Sequence, residues 1–204
     1  MRWLRLYLRS RRVPLALGLA TAATALVWAL WLAYSDERTV NARLVSLTVM
    51  LAVAAFTPTL GGADDALDRT ASVNWPVRRA AHLLLTASAI TGLLLLSTVT
   101  DARFAPLTVV LRDTVGILGL TALGAALLGP ARSWIAPLTW TLVTILPFVG
   151  PSTKLRWQVA GWLVQPAGST AATVFAALLA VAGLVAYALR GLPRHPAVET
   201  APDH

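Results

Sequence analysis

The chain has 204 residues, of which 57% are hydrophobic and 13% are charged, whereas ordinary soluble domains have about 25% charged residues. It contains no cysteine, which excludes disulfides and thiolate metal sites. The formal net charge is +8, but the basic residues flank apolar stretches, so they predict orientation in a membrane rather than binding to nucleic acid.

The first segment, residues 1–12, is basic and aromatic. Its arginines recur on one helical stripe, which predicts a short helix lying in the membrane interface. The alternative is the n-region of a signal peptide, but the apolar run that follows is longer than the usual 7–15 residues. The predicted membrane-interface residues of this segment are Arg2, Trp3, Arg5, Arg9 and Arg12.

Six long apolar stretches account for most of the remaining chain. A helix needs roughly 20 apolar residues to cross a hydrocarbon core of about 30 Å. Lipid offers no hydrogen bonds, so the backbone N–H and C=O groups must pair with each other within the helix. The sequence therefore predicts an all-α integral membrane protein with six transmembrane helices, formed by residues 13–189, after the N-terminal interfacial (elbow) helix. The stretches are 13–34, 44–60, 80–99, 108–128, 134–150 and 169–189.

The connection at residues 61–79 is the longest one predicted on the inner side. Asp64 and Asp65 favour the start of a short helix by capping it and by interacting with its dipole. Together with Asp68 they also match a DDxxD pattern, in which carboxylates hold a magnesium–diphosphate group. That chemistry needs a second acidic cluster, and the other carboxylate pair, Asp36 and Glu37, is predicted on the opposite face. Helix capping is therefore the preferred interpretation.

The fourth apolar stretch contains adjacent charges, Arg112 and Asp113. A charge in the middle of the membrane costs at least about 2.5–3.5 kcal/mol on insertion scales. The prediction therefore places the pair at the outer interface and begins the fourth span near Thr114. Residues 104–111 then form an outer or partly inserted segment.

The outer connection at residues 151–169 carries two tryptophans, Trp157 and Trp162, close to Lys154 and Arg156. Tryptophans with cations are typical of chain that lies in the membrane interface. The pattern predicts an interface-seeking or re-entrant helix, and the alternative is an ordinary aromatic belt.

The sixth stretch repeats alanine at Ala172, Ala176 and Ala180. This spacing favours close approach of another helix, although an alanine-rich chain also produces it by chance. The tail at residues 190–204 contains three prolines and is predicted to be disordered.

The distribution of Lys and Arg predicts the orientation. With the N-terminus inside, 11 of the 17 basic residues fall on the cytoplasmic side. The prediction is a multi-pass protein of the plasma membrane with both termini in the cytoplasm.

The sequence predicts no catalytic, metal or cofactor site in this chain. His82 is alone in the apolar region, and His195 and His204 are in the tail. There is no G-x-x-x-x-G-K-[ST] loop for binding ATP in the P-loop manner.

The order of the elements resembles that of the ABC type-2 permease family, the membrane half of export-class ABC transporters. A basic interfacial helix precedes the first span, a long inner loop joins spans two and three, and a long outer loop joins spans five and six. Two groups of stretches are similar to small actinobacterial members. They are Leu67-Asp68-Arg69-Thr70-Ala71 with Arg78-Arg79-Ala80-Ala81-His82-Leu83-Leu84, and Leu111-Arg112-Asp113 followed by Gly116, Gly119-Leu120 and Leu127-Leu128-Gly129.

The resemblance implies that the inner loop forms a coupling helix in a groove of a separate ATP-binding subunit. It also implies a second permease copy or paralogue in a dimer, with ATP and magnesium held by the partner subunit. Two other functions stay open: a magnesium-dependent intramembrane transferase, and a non-catalytic membrane scaffold or immunity protein. The implied ATPase contacts are Asp64, Asp65, Leu67, Asp68 and Arg69.

Overall fold

The computed structural model of the chain describes residues 12–61, 74–100 and 103–191. Within these ranges the protein is helical, and its only β-type pairing is an isolated bridge between Thr39 and Arg103. The helices are α1 (Val13–Tyr34), α2 (Ala42–Phe56), α3 (Trp75–Leu95), α4 (Leu107–Leu128), α5 (Ile135–Ile145), α6 (Leu155–Ala160) and α7 (Thr170–Arg190). Short 3₁₀ turns follow α2, α3 and α4 and separate α6 from α7, at Thr57–Leu60, Leu96–Val99, Pro130–Arg132 and Trp162–Val164.

Local sequence sets several helix ends. Pro14 and Pro76 lie in the first turns of α1 and α3, where a missing N–H costs nothing. The Asn41 side chain accepts a hydrogen bond from the N–H of Arg43 at 2.9 Å and caps α2. α4 stops at Gly129, which has a φ of 86° that a residue with a Cβ adopts only with strain.

Among the residues that the structure describes, five helices are long and apolar enough to cross a membrane: Val13–Tyr34, Ala42–Leu60, Trp75–Val99, Leu107–Leu128 and Thr170–Arg190, the second and third counted with their 3₁₀ turns. The prediction of an all-helical membrane protein agrees with this finding. The remaining predicted span, 134–150, is not confirmed, because its helix has only 11 residues and is about 16 Å long. Pro147 and Gly150 lie in the chain that follows this helix.

The fourth span differs from the prediction at its start. α4 begins at Leu107 and continues without a break through Arg112 and Asp113. The pair therefore lies inside the helix rather than before it, and both residues are buried, at 4% and 0% exposure. The prediction of a fourth span starting near Thr114 was wrong, because it assigned each charge its full insertion cost and omitted partners contributed by distant segments.

One end of the bundle, called here the Arg112 end, collects the starts of α2 and α4. Ser46 on α2 and Arg112 on α4 donate hydrogen bonds to the same carbonyl, that of Leu163. The ends of α1 and α3 meet at this end as well, because Trp28 Nε1 donates to Thr100 Oγ1 at 3.2 Å.

The opposite end, called here the His82 end, collects the end of α2, the start of α3 and the end of α7. His82 Nε2 lies 2.9 Å from Thr59 Oγ1, and the Tyr187 hydroxyl donates to the carbonyl of Leu60 at 2.6 Å. Thr59 Oγ1 also donates to the carbonyl of Phe56 at 2.7 Å. The Thr59 hydroxyl therefore connects the His82 ring to the end of α2.

The centre of the bundle is the pair formed by α4 and α7. A Cβ built on Gly183 would overlap the carbonyl oxygen of Gly119, and a Cβ on Gly119 would lie 2.5 Å from the Cα of Ala180. Ala172 and Ala176 on α7 are almost completely buried. Small residues let the two backbones touch, so the small-residue repeat of the sixth span does form a helix contact.

Candidate functional site

The candidate site is a buried arginine that holds a folded-back part of the chain. Arg112 projects from α4 at the Arg112 end, where its Nε donates to Asp113 Oδ1 at 2.9 Å. Both side chains are almost completely shielded from solvent, at 2% and 0% exposure. A buried charge needs a counter-charge and hydrogen bonds in all its donor directions, and Asp113 supplies only the first.

The remaining donors of Arg112 bond to carbonyl groups more than 50 residues away in the sequence. Nη1 donates to the carbonyl oxygens of Gln165 at 3.0 Å and Pro166 at 3.3 Å, and Nη2 donates to that of Leu163 at 3.4 Å. Leu163 lies in the 3₁₀ turn Trp162–Val164, and Gln165 and Pro166 follow it. Helical hydrogen bonding stops at this point, so the carbonyls lack partners from the turn itself. One guanidinium therefore satisfies the end of this turn and is neutralised by its own neighbour.

Residues 146–169 are called here the folded-back segment. They leave α5, form α6 and the 3₁₀ turn, and then enter α7. The Gln165 side chain closes this segment on itself: Nε2 donates to the carbonyls of Gly150 at 3.1 Å and Gly161 at 3.3 Å, and Oε1 accepts from the N–H of Ser152 at 3.1 Å. The segment is therefore an ordered part of the bundle end.

Two side chains of α2 hold the folded-back segment from a second helix. Arg43 Nη2 donates to the carbonyl of Val149 at 3.1 Å, and Ser46 Oγ lies 3.4 Å from the carbonyl of Leu163. Ser46 Oγ also lies 2.9 Å from the carbonyl of Ala42 in its own helix. A hydroxyl has one proton, so Ser46 donates to one of these two carbonyls at a time, and that of Ala42 is the closer acceptor.

Trp162 fills the space beneath the folded-back segment. It is 0% exposed, and a Cβ on Gly116 of α4 would overlap its ring. Its ring meets that of Phe175 on α7 edge-on, with centroids 6.4 Å apart. Gly116 is therefore required here by close approach of an aromatic ring, which wedges the segment between α4 and α7.

Within the part of the chain that the structure describes, four buried polar atoms at this site have no hydrogen-bond partner: Arg43 Nε, Asp113 Oδ2, Thr114 Oγ1 and Trp162 Nε1. Buried polar atoms in folded proteins are normally paired, and each unpaired one costs about 1–3 kcal/mol. Arg112 therefore anchors the folded-back segment, whereas several buried polar atoms around it lack hydrogen bonds. Such an arrangement can bind or release the folded-back segment without any covalent chemistry.

The two predicted interfacial tryptophans separate in the structure. Trp157 on α6 is 41% exposed, with Arg156 over its ring at 5.8 Å. Trp162 is enclosed by α4 and α7 and contacts protein. The depth of both tryptophans in a membrane stays a prediction.

The other predicted site residues cannot be compared with the fold. The ATPase-contact residues Asp64, Asp65, Leu67, Asp68 and Arg69 lie outside the described residues, as do Arg2, Trp3, Arg5 and Arg9 and the tail 192–204. Arg12 is exposed and precedes α1 with a φ of 55°. Within residues 12–61, 74–100 and 103–191, no group of three or more His, Cys, Asp or Glu is placed to hold a metal ion.

Sequence reasoning noticed Arg112 and missed its partners, which are the backbone carbonyls of Leu163, Gln165 and Pro166 and give no sequence signal. It also missed the side chain of Gln165, although a polar residue directly after the apolar Trp162-Leu163-Val164 points to a pairing. Comparison of the chain with protein-family models, with curated proteins and with solved structures finds no match.

Proposed function

We propose that this chain is the membrane-spanning permease subunit of an export-class ABC transporter, acting with a separate ATP-binding subunit. The permease contains the transport path, and the ATP-binding subunit supplies the energy at the cytoplasmic face. Two copies, or one copy and a paralogue, form the path between them. The proposal rests on the resemblance in element order and on how α2 connects the two ends of the bundle.

The observation that best supports the proposal is that α2 connects the two ends of the bundle. At the His82 end, α2 and its 3₁₀ turn lead into the loop whose sequence resembles a coupling helix. At the Arg112 end, Arg43 and Ser46 of the same helix bond to the folded-back segment. A rigid helix of this kind carries a push on the loop to the segment that covers the far end. A rigid element that contacts both ends is one way to couple them during alternation between two arrangements.

Six membrane crossings with an elbow helix are part of the proposal. Ser133 packs against Gly124 near the end of α4, whereas Val149 receives the hydrogen bond from Arg43 at the Arg112 end. The chain between these two points passes from one end of the bundle to the other, although only Ile135–Ile145 of it is helical. In the proposal, the fifth crossing combines this short helix with a non-helical continuation, in which Val149 is buried and Leu146 and Phe148 are exposed.

The orientation follows from the basic residues. The proposed cytoplasmic side is the His82 end, where Arg78, Arg79, Arg132 and Arg190 lie at helix ends. The folded-back segment then faces the outside, and both chain termini face the cytoplasm. A reporter that is active only outside the cell, fused after residue 204, should remain inactive, and strong activity would contradict this orientation.

Affinity purification tests the partnership. The full chain, tagged at its C-terminus and extracted in mild detergent from its native membrane, should co-purify with a P-loop ATPase in a fixed ratio. The ATPase should hydrolyse ATP faster in the complex than alone. A chain that is reproducibly recovered without an ATPase would overturn the proposal.

Substitutions in the coupling loop test the contact itself. Leu67→Asp should weaken the complex by roughly tenfold or more, because burial of a leucine in a partner groove contributes about 1.5–3 kcal/mol. Arg69→Glu should weaken it in a salt-dependent way through lost charge complementarity. The matched control is Arg103→Glu, the same charge reversal at an exposed position of the Arg112 end, which should leave the complex intact.

A further inference from the structure

A cleft of about 180 Å³ lies between α1 and the end of α3, away from the Arg112 site. Its α1 wall runs from Thr21 to Trp28, and its other wall is formed by the end of α3 and by Phe104. An apolar cavity of about 150 Å³ in another protein is enough to bind benzene. The cleft therefore has room for a small hydrocarbon group.

The sequence of α1 explains why the cleft exists. The buried residues of α1 are Ala16, Ala20 and Thr24, a stripe of small side chains that recur every fourth position. The next position on this stripe is Trp28, whose indole N–H donates to Thr100 at 3.2 Å. Ala16 and Ala20 are packed against the protein, whereas the short side chains of Thr21, Thr24 and Ala25 border the cleft, which the Trp28 ring closes near the Arg112 end.

The polar groups that line the cleft are turned to the protein. Thr21 Oγ1 donates to the carbonyl of Leu17 at 2.8 Å, Ser97 Oγ to that of Leu94 at 2.7 Å, and Thr100 Oγ1 to that of Ser97 at 2.6 Å. Thr24 Oγ1 has no hydrogen-bond partner, but the atom is itself enclosed by protein. The surface available to a bound molecule is consequently hydrocarbon.

The length and opening of the cleft point to the occupant. Thr21 and Trp28, on its α1 wall, are separated by about 10 Å along the helix axis, so the cleft is long enough to receive part of an alkyl chain. Its rim includes the exposed residues Ala25 and Leu96, so it opens sideways where a membrane helix meets lipid. Thr21 lies near the middle of the 22-residue α1, at the depth of acyl chains.

We propose that this cleft binds the acyl chain of a bilayer phospholipid, which packs α1 onto the rest of the bundle. The chain enters sideways at Ala25 and Leu96 and reaches the methyl groups and rings of the inner walls. The gain comes from packing contacts, because the acyl chain moves from one hydrocarbon environment to another. The inference stands independently of the proposed transport function.

The experiment uses the full chain in bilayers that contain a phospholipid with a photoreactive diazirine in the middle of one acyl chain. After irradiation, mass spectrometry maps the adducts on the protein. Adducts on the two walls of the cleft should exceed those on the exposed residues Val185 and Leu189 of α7 by about threefold, a modest factor because only packing is gained. Equal labelling of the two regions would overturn the proposal.

Filling the cleft supplies the second measurement. Ala25→Leu should return labelling of the cleft to the level of α7, whereas Ala22→Leu, the same change at an exposed α1 position outside the cleft, should not alter it. Leu96→Phe fills the cleft from the α3 wall, with Leu85→Phe as its exposed control. Persistent labelling in both filled variants would show non-specific contact with lipid and overturn the proposal. If a filled variant fails to fold, the comparison of labelling between the cleft and α7 in the wild-type protein still tests the proposal.

Discussion

α4 and α1 have similar lengths and similar apolar compositions, yet they are held in the bundle in different ways. In an apolar stretch of 18 residues from each helix, 72% of the α4 residues are buried inside the protein, whereas only 17% of the α1 residues are buried. α4 touches α7 backbone to backbone through glycines and carries the buried arginine. α1 contacts its neighbours through a narrow stripe and leaves a cleft. Apolar composition predicts that a helix enters the membrane, whereas the placement of small and polar residues decides how tightly it is held there.

The largest effect should come from breaking the Arg112 anchor. Arg112→Ala leaves Asp113 buried without a counter-charge and removes the donors to Leu163, Gln165 and Pro166, so it should destabilise the protein by about 3–5 kcal/mol. The measurement is thermal unfolding of the purified protein in detergent. Arg156→Ala, at an exposed position of α6, is the matched control and should have little effect.

A double variant sharpens the interpretation of the anchor. Arg112→Met combined with Asp113→Leu removes both charges, so the cost should be smaller than that of Arg112→Ala alone. If the double variant is as unstable as the single one, the bonds from Arg112 to the folded-back segment carry the effect, and the ion pair contributes little.

The next effect compares the same substitution in the two helices. Gly183→Ala puts a methyl group onto the backbone of Gly119 and should cost about 1–3 kcal/mol by overpacking. Gly18→Ala in α1 has nothing within 4 Å of the new methyl group and should stabilise the helix by up to about 1 kcal/mol. Unfolding measured for the two variants in parallel should show opposite signs. Equal signs would mean that the two helices are packed alike.

The smallest effect concerns α1. Trp28→Phe keeps an aromatic ring but removes the donor to Thr100, so it should cost about 0.5–1.5 kcal/mol. In this variant, backbone amides of α1 should exchange hydrogen at shorter times than those of α4, because α1 is the less enclosed helix. A loss as large as that of Arg112→Ala would show that α1 is essential to the core.

Much of the fold could be predicted from the sequence, because hydropathy reports directly on insertion. The predicted first span has the same limits as α1, and the predicted sixth stretch starts within one residue of α7, whereas the fourth span was predicted to start near Thr114 and α4 starts at Leu107. The short α5 could not be foreseen. Its apolar stretch has enough length for a span, but the helix ends at Ile145, where the chain turns toward partners on α2.

The candidate site was harder to predict than the fold for a physical reason. The cost of a charge in a membrane depends on its partners, and the partners of Arg112 are backbone carbonyls, which every residue type has. No sequence pattern distinguishes the carbonyl of Gln165 from any other. The burial of Trp162 depends likewise on the space above Gly116, which exists only once α4 and α7 have met.

The contacts of Arg112 also set an order of events during biosynthesis. The ribosome makes α4 before the carbonyls of Leu163, Gln165 and Pro166, which are 51, 53 and 54 residues later in the chain. At about 5–20 residues per second, the nascent helix spends roughly three to ten seconds with its guanidinium neutralised only by Asp113. The adjacent aspartate thus neutralises the arginine while α4 inserts into the lipid. The other hydrogen bonds of Arg112 form only after the folded-back segment has been synthesised.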